Sequence, residues 1–148
     1  MQLLKHLGLP AIAALALIAT GACAQSTAEP MALRGVMQQM DHDAQAASAA
    51  IERKDWMAVA TLASLLARHS EPPMSERMRI LGWLLTDATT FRNYDKQVKA
   101  AATQLQTAAL KADAAESRAA YQRMQQSCDG CHNSFRAKYL DHFYGNKP

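Results

Sequence analysis

After residue 24 the sequence holds only five β-branched apolar residues: Val36, Ile51, Val59, Ile80 and Val98. Strands draw on that class of residue, and no stretch of strict polar/apolar alternation makes up for the shortage. Ala, Gln, Leu, Met, Lys, Arg and Glu dominate instead, and these side chains lose little freedom in a helix. The expected fold class is therefore all-α. With six Gly, five Pro and 20% charged residues in 148, the composition fits neither a disordered nor a fibrous chain. The length argues for one domain.

Breaks and apolar stripes divide the chain into helices. Pro30 suits a first turn and predicts a start near residue 29. Leu33, Val36, Met37, Met40, Ala44, Ala47 and Ile51 then recur at helical spacing. Asp55 is a suitable N-cap for a second helix with Trp56, Val59, Leu62, Ala63 and Leu66 inward, which Glu71-Pro72-Pro73 ends. Ser75 is the expected cap of a third start, with Met78, Leu81 and Leu85 on one side. Phe91, Tyr94, Val98, Ala101, Leu105 and Ala108 continue a helical period to about Lys111. Gly82 and the stretch 86–90 are candidate breaks within 76–111. Asp113, with Glu116 three residues on, starts the last helix. It is expected over 114–142 with Tyr121, Met124, Cys128, Cys131, Phe135 and Tyr139 inward. Four long helices with short connections predict an antiparallel, up-down-up-down bundle. Thirty of the residues are Ala, which predicts a thin core with room for a large apolar group between the helices.

Residues 1–24 are expected to be a cleaved signal peptide. Lys5 and His6 form a basic start, Leu7 to Ala19 an apolar stretch, and Ala22-Cys23-Ala24 an A-x-A cleavage site. The apolar stretch is well short of the roughly 20 residues a membrane span requires. Lipidation at Cys23 is the rival fate, with Thr20 standing where a lipobox usually has Leu. Residues 25–148 are then the exported domain, and the periplasm its expected location. The net charge of +3 over the whole chain is too small to point to nucleic acid or an anionic membrane as partner.

The chemistry lies in Cys128-Asp129-Gly130-Cys131-His132. This is C-x-x-C-H, the attachment motif of c-type haem. Two thiols three residues apart on one helical turn can each form a thioether with one haem vinyl group, and the adjacent imidazole reaches the iron as proximal ligand. A zinc site would need two further ligands at paired spacing, and His42, His69 and His142 do not supply them. A redox C-x-x-C wants a βαβ setting, and a disulfide between Cys128 and Cys131 would leave His132 without a role. One covalently bound haem c is the expected cofactor.

Small class I cytochromes c carry this motif near the N-terminus, whereas here it lies on the last helix. The sequence resembles the cytochrome c′ family, including its low-spin, Met-ligated relatives. The resemblance rests on Cys128-Asp129-Gly130-Cys131-His132 followed by Phe135-Arg136 and Tyr139. Leu33-Arg34 with Met37 and Met40 resembles the family's distal segment, and Lys54-Asp55-Trp56 its second-helix start. The resemblance implies a haem packed among four helices with its distal face toward the first. It implies His132 as proximal ligand, with Arg136 beside the proximal face. By register with the family Met37 falls at the distal position, and Met40, one turn on, is the fallback. The family also forms dimers through its first two helices.

The sixth ligand divides the functions that the resemblance implies. A Met sulfur on iron makes a low-spin electron carrier serving redox partner proteins. An open distal site makes a five-coordinate protein that binds NO or CO. A haem peroxidase would want a distal His or Arg acid–base pair, and the first-helix stripe offers Leu, Val, Met and Ala. No enzymatic activity is expected. Met also fills gaps in ordinary cores. His42, off the stripe, and His69 and His142, near helix ends, are expected at the surface.

Overall fold

The structure, a computed structural model, describes residues 30–145; the signal-peptide expectation for 1–24 lies outside them. The described residues form helices α1 (Ala32–Glu52), α2 (Trp56–Ala67), α3 (Met74–Leu84), α4 (Ala88–Leu110), α5 (Ala114–Cys131) and α6 (Ala137–Tyr144), with no strand among them. A 3₁₀ turn, Leu85–Asp87, joins α3 to α4, and a π-helical turn, His132–Arg136, joins α5 to α6. The four long elements are α1, α2, α4 and the continuous α5–α6 rod, arranged as an antiparallel bundle with α3 added across one end.

Two expected starts are local and hold. Asp55 Oδ1 accepts the Ala58 N–H at 3.1 Å and begins α2. Asp113 Oδ1 accepts the Glu116 N–H at 3.0 Å and begins α5. The capping box is only half made, because Glu116 turns outward to Arg123. Other starts differ. α1 begins at Ala32 and α3 at Met74, and neither carries a side-chain cap of its own; Ser75 lies inside α3. The break in 76–111 falls at Leu85, whose φ of 48° no helix tolerates and Leu rarely adopts.

α1 is capped from a distance instead. The Ala32 and Leu33 N–H groups donate to the two Glu76 carboxylate oxygens, both at 2.7 Å, and the Met31 N–H donates to the Tyr144 hydroxyl at 2.9 Å. A carboxylate at a helix N-terminus satisfies orphan donors and suits the dipole. Glu76 on α3 and Tyr144 on α6 thereby hold the end of α1 that carries Met37.

The core has two parts. The larger joins Ala47, Ala50 and Ile51 of α1, Val59, Ala63 and Leu66 of α2, Val98, Ala102 and Leu105 of α4, and Ala120 and Met124 of α5. The buried alanines do not leave the expected space here; they let the helices close on one another, with Ala47, Ala63, Ala102 and Ala120 fully buried. The smaller cluster, Met31, Ile80, Leu84 and Phe135, lies under α3. The inward face of α3 is therefore Ile80 and Leu84 with Leu81 beside them, and the rest of the expected stripe points outward: Met78 and Leu85 are 60% and 76% exposed. An aromatic set seals this end, with Trp83 5.5 Å from Phe143 and stacked on His142 at 5.4 Å, and Phe91 5.5 Å from Phe135.

Candidate functional site

α1 packs along α2, α2 along α4 and α4 along α5, but α1 meets α5 only slightly. Between them, at the α3 end, lies a largely apolar cavity of about 620 Å³, within the roughly 300–1,000 Å³ range of small-molecule and cofactor sites. Leu33, Val36, Met37 and Met40 line it from α1; Met124, Cys128 and Cys131 line it from α5, with His132 just beyond. Tyr121 donates to the Ala44 carbonyl at 2.9 Å and ties α5 to α1 where the cavity meets the core.

The fold thus brings Cys128, Cys131, His132, Met37 and Met40 around one space. Arg136 is exposed and is not among the residues lining it. The two methionines differ. Met40 packs against the central core, whereas Met37 lines the cavity outside both apolar clusters. His42 is exposed, as expected, with its side chain 76% accessible and 3.3 Å from Asp43.

Cys128 and Cys131 are not joined in a disulfide. Burial pushes the Cys128 thiol above its ordinary range, and burial together with the Cys128 and Asp95 charges pushes Cys131 up to about 11. Among the described residues no three of His, Cys, Asp and Glu are grouped to hold a bare metal ion.

The motif's own geometry adds two features that sequence reasoning did not foresee. The π turn begins at His132, directly after Cys131, and π turns recur at functional sites; Ser134 Oγ donates to the Gly130 carbonyl at 2.8 Å within it. Gly130 is needed for space and not for a positive φ. A Cβ there would stand 2.7 Å from Tyr94 Cε1 and 3.2 Å from Cζ. Gly130→Ala is therefore expected to destabilise the protein by about 1–3 kcal/mol through overpacking. Thermal unfolding checks this, and the cost should largely vanish in a Tyr94→Ala background, since the two changes share one contact.

The largest departure is His69. Instead of lying at the surface it is half-buried, its side chain 9% exposed, and it lines the cavity. Its Nδ1 lies 2.8 Å from the Leu66 carbonyl oxygen and its Nε2 3.0 Å from Asp95 Oδ1. The Asp95 hydrogen bond raises its pKa against the opposing effect of burial, and the same bond lowers that of Asp95. Lys99 Nζ holds the other Asp95 oxygen at 2.9 Å, and Glu71 bridges Lys99 and Arg77. No sequence spacing signals a pair 26 residues apart.

No helix among the described residues is long and apolar enough to cross a membrane. No individual curated protein and no solved structure matches the chain significantly. The family model for cytochrome c′ matches residues 22–136, well over half of the chain. With a helical bundle that opens on the C-x-x-C-H turn at one end, this match shows that the chain belongs to the cytochrome c′ family, whose members are haem c proteins that carry electrons or bind gases.

Proposed function

We propose that the protein is an exported electron carrier with one covalent haem c, held by thioethers at Cys128 and Cys131, with His132 as proximal ligand and Met37 as distal ligand. The observation that carries this reading is the cavity, which has the C-x-x-C-H turn on one side and the first-helix methionines on another. The residues fit the group: the walls are mostly apolar, the Cys128 and Cys131 sulfurs belong to the wall, and the space is of cofactor size. When bound there, the haem supplies a one-electron ferric/ferrous couple, and a His/Met pair raises its potential.

The chain's own part is to hold and shield. Each thiol contributes its sulfur to a covalent tether, so the cofactor survives export. His132 presents its imidazole from the π turn. Met37, free of core packing, is the residue available to reach across. Leu33, Val36 and Ile80 exclude water, and Glu76 keeps the α1 end in place. Loss of residues 1–24 and a periplasmic location follow from the leader's grammar. A homodimer is the expected assembly, as the resemblance implies; on α2, Met57 and Leu65 are 69% and 49% exposed and offer an apolar contact.

Optical spectra of the matured protein, ferric and ferrous, with and without CO, test the reading. Low-spin bands that CO leaves unchanged are expected. A high-spin spectrum that shifts with CO would overturn the Met37 ligand and make NO or CO binding the function.

A further inference from the structure

We propose that His69 is a redox-linked proton site of this cytochrome, a half-buried imidazole that takes up a proton when the neighbouring centre gains an electron. The proposal rests on the haem reading above.

Both ring nitrogens face acceptors, the Leu66 carbonyl at 2.8 Å and the Asp95 carboxylate at 3.0 Å. Neither a carbonyl nor an ionised carboxylate can donate, and a neutral imidazole carries only one N–H. A neutral His69 therefore sets one lone pair against another in a place where burial limits rescue by water. The imidazolium satisfies both contacts. The ring also lines the same cavity as Cys131 and His132, so its charge and any charge change within that largely apolar space act on each other by Coulomb interaction.

The groups around it narrow the assignment. Asp95 and Lys99 of α4 face it; Glu71, from the segment after α2, pairs in turn with Lys99 and with Arg77 of α3. Farther round the cavity stand Asp41 of α1, Arg92 and Lys96 of α4, and Asp129 of α5. His is the side-chain type that ordinarily changes charge between pH 5 and 8, and of the two on the cavity wall His132 is committed to the iron. Asp95, held below the usual carboxylate range by its His69 and Lys99 hydrogen bonds, and Lys99, raised by Asp95, keep their charge over that range.

The balance is simple. One electron arrives from a one-electron donor, protein or small molecule, and one proton arrives from solvent on the His69 ring nitrogen, so the net charge of the cavity is conserved. Linkage makes the effect reciprocal. An added electron raises the His69 pKa, and protonated His69 raises the midpoint potential. Because the His69 pKa lies above its ordinary 6.5, the potential is high at low pH, falls as pH rises through a window above 6.5, and then levels.

The test is potentiometry of the holoprotein from pH 5 to 10, followed by haem absorption, with His69→Gln and Asp95→Asn alongside. The wild type is expected to show the fall and to take up protons on reduction in weak buffer. His69→Gln should lose the fall while keeping its haem spectrum. Asp95→Asn should move it to lower pH, since the leading stabiliser of the proton is gone. ¹⁵N-imidazole NMR of the unmodified protein should give His69 a higher pKa in the ferrous than in the ferric state. A flat wild-type profile, equal His69 pKa values in the two states, or a fall that survives His69→Gln would overturn the proposal; the last would assign the proton to a carboxylate of the cofactor. A matured protein without haem absorption would overturn the underlying reading and this one with it.

Discussion

Cys128→Ser combined with Cys131→Ser is expected to abolish covalent haem binding, so that acidified organic solvent extracts all of the cofactor from whatever protein accumulates. Retention of covalent haem in the double variant would overturn the attachment assignment. The structural consequence should be as large as the chemical one. A void costs about 24 cal/mol per Å³ when its walls do not relax. The 620 Å³ cavity then sets an upper bound of about 15 kcal/mol, comparable to the roughly 5–15 kcal/mol that stabilises a whole domain. Because the cavity opens to water, the true cost is a fraction of this. Even a few kcal/mol would lower the Tm by roughly 10 °C or more in a domain of this size. The damage should concentrate where the walls are thin. Proteolysis is expected near α3 and the start of α1, while the part built on Ala47, Ala63, Ala102 and Leu105 stays folded. Cleavage spread evenly over the bundle would argue against this division.

Met37→Ala should turn a low-spin centre indifferent to CO into a high-spin centre that binds it, and should lower the midpoint potential because the thioether ligand is gone. Met40→Ala should do neither. Met40 packs against the central core, so its loss appears as lower thermal stability, up to about 2 kcal/mol for a partly buried side chain at the low end of large-to-small core costs, with the spectrum preserved. The opposite pattern would assign the ligand to Met40. Low-spin spectra in both single variants would remove both methionines from the iron. The pair is informative because the two residues are one turn apart on the same stripe, and only their packing separates them.

How much of this was legible before the fold was known varies with the range of the interactions. The all-α class, the starts at Asp55 and Asp113, and the inward residues of the long helices rest on spacings of three and four residues. Those spacings bring side chains and N–H groups together within a single helix. The haem motif is likewise local, two thiols and an imidazole on one turn. Even the candidate methionines could be named from their stripe, though the resemblance was needed to put Met37 first.

Interactions between segments far apart in sequence decided the rest. α3 is short, and its inward face was misread because Ile80 and Leu84 meet Phe135 and Met31 of other elements, which no periodicity within 76–85 encodes. α1 has no cap of its own, and its donors are met by Glu76, more than forty residues away. The alanines that suggested an empty core close the helices together; the space lies instead where α1 and α5 part. His69 looked like a surface residue at a helix end. Only the docking of α2 on α4 places Asp95 against its ring and turns a solvated imidazole into a hydrogen-bonded, titratable group on the cavity wall. Backbone propensity and capping act over one turn of helix and are written in order along the chain. Burial and charge pairing act across packed surfaces, and they exist only once the helices have met.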